Sequence, residues 1–324
     1  MSKMTIEQTA DWLKQHDDFL ILTHRRPDGD TIGSASALAF GLRAIGKNAY
    51  LHNNPETTAR YQPYAYDYLA PEGFQPKTII TVDTASSDMF SYGTDDFHDH
   101  IDLCIDHHTS NTSYAKNICL FDKKAACGEI IYEILLALDI KIEESAASAL
   151  YVALTSDTGC FVYSNTTAGT LEIASKLIQA GARHREINKV LYRTKSMSRI
   201  KIEGAILSGL LYYFENTVAI SVITLDMMKE ASANTDDIDD IAAIPGSVEG
   251  VRVGITIREM TSTDDCKVSV RSVSGISSND IAALFGGGGH SLSAGFSQPR
   301  PASEIVRDLI EVLPRFLPYR HKGG

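Results

Sequence analysis

Short apolar runs alternate with longer stretches of helical spacing through the first half of the chain. Ile6, Thr9, Ala10 and Leu13 recur at helical spacing near the N-terminus, with charges that interrupt any signal-like core. Phe19-Leu20-Ile21-Leu22 is too short for a helix and suits a buried parallel strand. Ile32, Ala35, Leu38, Ala39 and Leu42 then predict a helix over 31–45, closed by Gly46. Ala49-Tyr50-Leu51 reads as a weak strand. Residues 53–76, with four prolines and four tyrosines, read as loop with a short helix. Thr78 to Val82 and Ile101 to Asp106 are strong strands, each leading to an acid, Asp83 in the first case and Asp106 in the second. Residues 125–138, 145–155 and 167–180 predict helices, the last stopped by Gly181. Such alternation implies an α/β fold, a mainly parallel sheet with helices on both faces. In such sheets functional groups gather beyond the carboxyl ends of the strands.

The second half has a different rhythm. Residues 186–214 keep a helical pattern, are richer in Lys and Arg, and read as a connecting helix. Val218 to Ile223 is strand-like. From Val251 to Arg258 every odd position is apolar, as in a half-buried strand. Lys267 to Arg271 repeats the alternation, with Val268 and Val270 on one face and Arg271 on the other. Ser277 or Ser278 caps a short helix that ends at Phe285, before four glycines, and a last helix covers about 302–313. The expected organisation is an N-terminal domain over 1–185, a connecting helix over 186–214 and a smaller α/β domain over 215–324, with a cleft between the domains.

Composition narrows the function classes. The chain has 324 residues, 44% hydrophobic and 22% charged, ordinary values for a globular protein. A net charge of −11 argues against a broad grip on duplex DNA. It leaves room for a short anionic substrate, because metals and a few arginines reverse the field locally. Five cysteines form no CxxC pair and fit free thiols in a reducing cytosol. No apolar run approaches the ~18–20 residues of a membrane span. The expectation is a cytoplasmic protein without membrane partners.

Candidate chemistry collects at the strand ends. His24, Asp28 and Asp30 follow the first strand, Asp83 another, and Asp106-His107-His108 a third. Asp28 and Asp30 are two residues apart, so in an extended segment both carboxylates face one way. Carboxylate and imidazole donors without thiolate suit a hard or borderline divalent ion such as Mn2+ or Mg2+. Two such ions roughly 3.5–4 Å apart can activate a water and stabilise the attacking and leaving oxygens of a phosphoryl displacement. Asp83, ending a central strand, is placed to bridge them. His98-Asp99-His100 precedes its strand and reads as a solvated loop. The four glycines allow close backbone approach, and their N–H groups could form an anion-binding nest beside His290. Arg271 could reach a phosphate or base through its planar fork.

The segment His24-Arg25-Arg26-Pro27-Asp28-Gly29-Asp30-Thr31-Ile32-Gly33-Ser34 resembles the first motif of the DHH phosphoesterases. Val82-Asp83-Thr84 resembles the second motif, and Asp106-His107-His108 is the triplet that names the family. Ser156-Asp157-Thr158-Gly159-Cys160-Phe161 resembles the fourth, and Gly286 to His290 is similar to the glycine-rich motif of the DHH-associated C-terminal domain. The motifs come in family order along nearly the whole chain, and the nano-RNase / pAp phosphatase branch is the most similar.

The resemblance implies one metal held by His24, Asp28 and Asp83, and a second held by Asp30, Asp83, His107 and Asp157. It implies that His108 faces the substrate phosphate while Asp106 orients an imidazole. Asp157 enters through the resemblance alone. Arg271, Gly287, Gly288, Gly289 and His290 would bind substrate. The implied activity is hydrolysis of nano-RNA to mononucleotides and of pAp to AMP by a water activated between two Mn2+ ions, with Mg2+ or Co2+ as alternatives. A soluble phosphodiesterase for cyclic di-AMP or pApA is the neighbouring reading, and a nucleotide-binding regulator without turnover is the non-enzyme one. Partners would be short single-stranded RNA or small nucleotides, and the family implies a homodimer.

Overall fold

The computed structural model describes residues 2–238 and 241–317. Two units divide the chain, Met1–Thr194 and Lys195–Gly324. The first contains β1 (Ser2–Lys3), α1 (Ile6–Gln15), β2 (Phe19–Leu22), α2 (Gly29–Ala44), β3 (Ala49–Leu51), α3 (Gln62–Ala65), β4 (Thr78–Val82), β5 (Leu103–Asp106), β6 (Asn117–Leu120), α4 (Cys127–Ala137), α5 (Glu144–Asp157), α6 (Ala168–Gln179) and α7 (His184–Asn188). Its six strands form a parallel sheet in the order β1-β6-β5-β4-β2-β3. From β2 the chain leaves toward β3 on one side, and from β4 it leaves toward β5 on the other. The carboxyl ends of β2 and β4 therefore flank a topological switch point.

Register makes these ends level. Leu22 pairs with Thr81, so His24 and Asp83 each lie two residues past a matched pair. The Asp83 N–H donates to the Ile105 carbonyl at 2.9 Å, which holds Asp83 beside the end of β5. Phe19, Ile21, Ile80, Val82, Leu103 and Ile105 bury one face of the sheet with residues of α1, α2, α4, α5 and α6. On the opposite face, where the alternation predicts further helices, Leu20, Leu22, Ile79 and Cys104 pack against Phe74, Phe90, Phe97 and Tyr114 from the long connections.

Burial runs round nearly the whole of α2, from Gly29 to Leu42 except Phe40. It presses closely on α5: a Cβ at Gly33 would lie 2.2 Å from the Ala149 carbonyl oxygen and 3.1 Å from the Ala153 Cβ. Only a residue without a side chain permits that approach. It carries the last turn of α5, and with it Asp157, toward the start of α2.

β1 and β6 are absent from the sequence pattern. They are two and four residues long, below the length at which period-two alternation can be read. The stretch expected as one connecting helix is interrupted. After α7 come a π-helical turn at Lys189–Arg193 and an extended Thr194. α8 (Met197–Ser208) then starts afresh, and the Ser196 hydroxyl caps it by accepting from the Arg199 N–H at 2.9 Å.

The second unit continues with β7 (Leu211–Tyr213), β8 (Val218–Ile223), α9 (Leu225–Ala231), β9 (Val253–Glu259), β10 (Cys266–Ser272), α10 (Ser278–Ala283), β11 (Gly288–His290), β12 (Ser293–Gln298) and α11 (Ala302–Val312). Its sheet runs β11-β12-β10-β9-β8-β7 and is antiparallel except between β8 and β9. Ile255, Ile257, Val268 and Val270 fill its core with Ile281, Ile305 and Leu309. None of the five cysteines forms a disulfide. Among the described residues no helix is long and apolar enough to cross a membrane.

Candidate metal centre

Asp28 caps α2, accepting from the N–H groups of Asp30 and Thr31 at 2.9 and 3.2 Å. The Thr31 hydroxyl donates to the Val82 carbonyl at 3.0 Å, tying this cap to the end of β4. Asp30 is fully buried and reaches the start of α4. There it accepts from the N–H groups of Cys127 at 2.6 Å and Gly128 at 2.9 Å, and from the Ser34 hydroxyl at 3.0 Å. Two main-chain donors at a helix N-terminus favour a carboxylate there. Asp83 has φ 55, the left-handed region, which turns its side chain off the line of β4.

The three histidines are oriented differently. His24 Nδ1 is 2.9 Å from the Arg25 carbonyl oxygen and His107 Nδ1 is 3.1 Å from that of Lys124. Each ring thus spends one nitrogen on the main chain and turns Nε2 to the acids, the arrangement metal-binding imidazoles adopt. His24 Nε2 lies 3.8 Å from Asp28 and 3.9 Å from Asp83. His107 Nε2 lies 3.2 Å from Asp157, 3.3 Å from Asp83 and 3.6 Å from Asp30. His108 instead bonds through Nδ1 to Asp106 at 2.7 Å, and its side chain is 37% exposed against 11% for His107. Asp106 also accepts from the His107 N–H at 2.8 Å and from the Asn111 side-chain amide at 2.6 Å.

Among the described residues three groups of donors come within reach of a single ion: His24, Asp28 and Asp83; Asp30, His107 and Asp157; and Asp83, His107 and His108. The structure therefore brings together every residue the sequence proposed as a ligand. His98 and His100 belong to none of these groups.

Two atoms test whether a cation fits. Asp83 Oδ1 and His107 Nε2 are buried and have no hydrogen-bond partner, although they are 3.3 Å apart. Buried polar atoms are rarely orphaned, and exceptions point to a missing ion or water. The donor set and these two atoms fit a divalent cation.

The metal-free charges tell the same story. Burial works against a charged His107, yet the carboxylates of Asp157, Asp83 and Asp30 raise its pKa to about 12. Burial likewise opposes charge on His24, and Asp28 and Asp83 outweigh it, raising it to about 9. Burial, followed by the charges of Asp83 and Asp157, pushes Asp30 well above the usual carboxylate range. Burial pushes Asp157 up to about 6 against the pull of His107. Asp28, with a side chain 47% exposed, stays below that range: loss of water opposes this, and His24 outweighs it. These carboxylates converge on one spot and are stable together only with compensating positive charge.

Several supporting groups have no sequence signal: Asn111, the Lys124 carbonyl, and the amides of Cys127 and Gly128. Ser156, which opens the fourth motif, has a supporting role that the motif does not specify: its hydroxyl accepts from the Gly29 N–H at 3.2 Å.

In the second unit, register places Arg271 of β10 opposite Ser293 of β12, and Ser293 opposite His290 of β11. Arg271, Ser293 and His290 therefore form one cross-strand row on the face away from Val268 and Val270. The glycine tract corrects the expectation of an open amide nest. The Gly286 and Gly287 N–H groups donate to the carbonyls of Ala283 and Ala282 at the end of α10, and Gly289 donates to the Asn279 side chain at 3.0 Å. Gly287 is required for packing, since a Cβ there would lie 2.2 Å from the Gly295 carbonyl oxygen.

Residues 18–154 match the DHH family N-terminal domain, and residues 215–317 match the DHHA1 domain. The bifunctional oligoribonuclease and PAP phosphatase NrnA of Thermus thermophilus is 30% identical over 279 residues, 85% of this chain and 82% of that protein. The protein of the same name from Bacillus subtilis is 29% identical over 287 residues, 87% of this chain and 90% of the relative. A solved exopolyphosphatase-related protein from Bacteroides fragilis has the same fold, with a TM-score of 0.84 at 23% identity over 96% of each chain. With its motifs in order and two domain matches in tandem, this chain belongs to the DHH family, a DHH N-terminal domain followed by a DHHA1 domain.

Proposed function

We propose that this DHH-family enzyme degrades very short single-stranded RNA to mononucleotides and converts pAp to AMP, using two Mn2+ ions. The observation that carries the reading is the convergence of Asp30, Asp83, Asp157 and His107 around two buried, unbonded donor atoms. The names of the Thermus and Bacillus relatives supply the substrate class. His24, Asp28 and Asp83 would hold one ion, and Asp30, Asp83, His107 and Asp157 the other. Oxygen and nitrogen donors without thiolate suit Mn2+, with Mg2+ or Co2+ as alternatives. When bound, the ions supply water activation and offset the charge on the phosphoryl oxygens.

His108, bonded to Asp106 through Nδ1 and partly exposed, would donate through its other nitrogen to a phosphate or to the leaving oxygen. Its hydrogen bond to Asp106 raises its pKa against the effect of burial, so the ring keeps its proton closer to neutrality. Arg271 and His290 would contact the substrate, with Gly287, Gly288 and Gly289 keeping the adjoining backbone free of side chains. Asp106→Asn keeps the shape of that partner and removes its charge. Turnover is expected to fall about 10–100-fold, and the alkaline limb of the pH–rate profile to move to lower pH. An unmoved profile would make Asp106 a support for the fold rather than for His108.

Hydrolysis assays with Mn2+ and three substrates, pAp, a dinucleotide and cyclic di-AMP, test the reading. Turnover of pAp and the dinucleotide is expected. Hydrolysis of cyclic di-AMP alone would move the activity to cyclic dinucleotides. Binding of all three without hydrolysis would make the chain a nucleotide-binding regulator.

A further inference from the structure

We propose that Arg25, Arg26 and Tyr92 form a nucleotide subsite on the N-terminal unit, beside His24, that takes the base and the second phosphate of the substrate. This rests on the reading of the centre as a nucleotide phosphoesterase. Two consecutive arginines directly after a metal-ligand candidate are conspicuous in a chain of net charge −11. The fold gives them a partner. His24 pairs with Phe90 in an isolated antiparallel bridge, and the Arg25 N–H donates to the Met89 carbonyl at 2.6 Å. That pairing draws the segment around residues 88–92 alongside the exit of β2. The Arg25 guanidinium then lies 5.8 Å from the centre of the Tyr92 ring and 3.4 Å from the Asp88 carbonyl oxygen. Arg25, Arg26, Met89 and Tyr92 line an open cavity of about 460 Å3.

Neither Tyr92 nor Arg26 has a duty in the core. Tyr92 is 59% exposed. Arg26 has φ 55, a left-handed conformation that a long side chain seldom adopts, and its side chain is 82% exposed. The Glu56 carboxylate holds that backbone by accepting from the Arg26 main-chain N–H at 3.3 Å, while its 3.7 Å contact with the guanidinium is a weak surface ion pair that leaves the side chain in solvent. Strained residues persist where the surrounding structure holds them for a purpose.

The chemistry matches a nucleotide. Nucleobases stack on aromatic faces, and guanidinium forks bind phosphate. The two proposed substrates share one feature: pAp and a 5′-phosphorylated dinucleotide each carry a nucleoside with phosphate on both sides. With one phosphate at the metal centre, the other lies one nucleoside away. Arg25 and Arg26 take that phosphate, and Tyr92 stacks on the base.

Equilibrium binding of pApA and of adenosine to the full metal-free chain tests this, together with Mn2+-dependent turnover of pApA and of bis(p-nitrophenyl) phosphate, which lacks a base. Arg25→Gln and Arg26→Gln are each expected to weaken pApA binding about tenfold, with adenosine affected less. Tyr92→Ala is expected to weaken both ligands about tenfold, and Tyr92→Phe to restore them. In kcat/KM, the loss for pApA is expected to exceed that for the aryl diester about tenfold. Unchanged pApA binding in the three loss variants, equal losses on both substrates, or no pApA binding by the unsubstituted chain each overturns the subsite. Binding of pApA without its hydrolysis would remove the proposed activity and leave the subsite standing.

Discussion

Asp83→Asn is expected to lower turnover by at least about a thousandfold, because it removes the acid shared by both proposed metal positions. The metal-free variant is expected to differ from the unsubstituted chain by no more than about 1 kcal/mol, because relief of the repulsion against Asp30 is offset by lost attraction to the charged His24 and His107. Asp83 Oδ1 is buried and unbonded, and the charge of Asp83 is among the causes that raise the pKa of Asp30. A neutral amide relieves that repulsion and can donate to the carboxylates around it. Asparagine is the right replacement because Asp83 has φ 55, which Asn tolerates and which Ala adopts only with strain. Thermal melts and steady-state assays on the same preparation check both halves. Turnover within tenfold of the unsubstituted enzyme would sink the assignment of Asp83 as the shared ligand.

Metal uptake is expected to expel protons. Without metal, His24 with a pKa of about 9 and His107 at about 12 are charged at neutral pH. A metal-bound imidazole must be neutral, so filling both positions releases about two protons. The overall affinity for the pair of ions should then rise about a hundredfold per pH unit between pH 7 and 8. Below about pH 6 Asp157 also takes a proton and the competition sharpens.

The stability of the metal-free fold falls as pH rises over the same range. The contribution of the two histidines is complete below the ordinary imidazole pKa of 6.5 and, for His24, is lost as pH rises through about 9. That of Asp157 is complete below 3.8 and lost as pH rises through about 6. Asp28 and Asp106 act oppositely, and their contribution is lost only as pH falls below the usual carboxylate range. The rise in melting temperature on adding Mn2+ should therefore grow with pH. It corresponds to about 2.7 kcal/mol at a hundredfold excess over Kd. Calorimetric titration in two buffers of different ionisation heat counts the protons. A titration with no buffer dependence would mean that His24 and His107 are not ligands.

The elements of the N-terminal sheet are legible because their signals are local. Phe19 to Leu22 is a continuous apolar run and Thr78 to Val82 is β-branched throughout, and both are strands at those bounds. The residues beyond them carry donor chemistry that can be read from the side chain alone, which is why His24, Asp28, Asp30, Asp83 and the triplet at 106–108 stand out. β6 and β7 do not stand out, being four and three residues long with no periodicity of their own. The interrupted connector is also hidden, since Thr194 and Ser196 fit a helical pattern as well as a break.

Asp157 marks the boundary between the two kinds of information. As the last residue of α5 it resembles any acid near a helix end, and only the family motif points to it. It reaches His107 at 3.2 Å because α2 and α5 meet at Gly33, and nothing near Asp157 in the sequence records that meeting.

The α/β alternation, the strand-end positions of the donors and their suitability for a divalent cation are written locally in the chain, since each is a property of a short segment or a single side chain. The tertiary structure alone decided which donors converge, which atoms are left unbonded, and how far burial and neighbouring charge shift each pKa. It also decided that the Gly286, Gly287 and Gly289 amides are already in use and that Arg25 lies beside Tyr92. Those facts depend on strand register and helix approach between residues far apart in the chain, and on the loss of water where they meet.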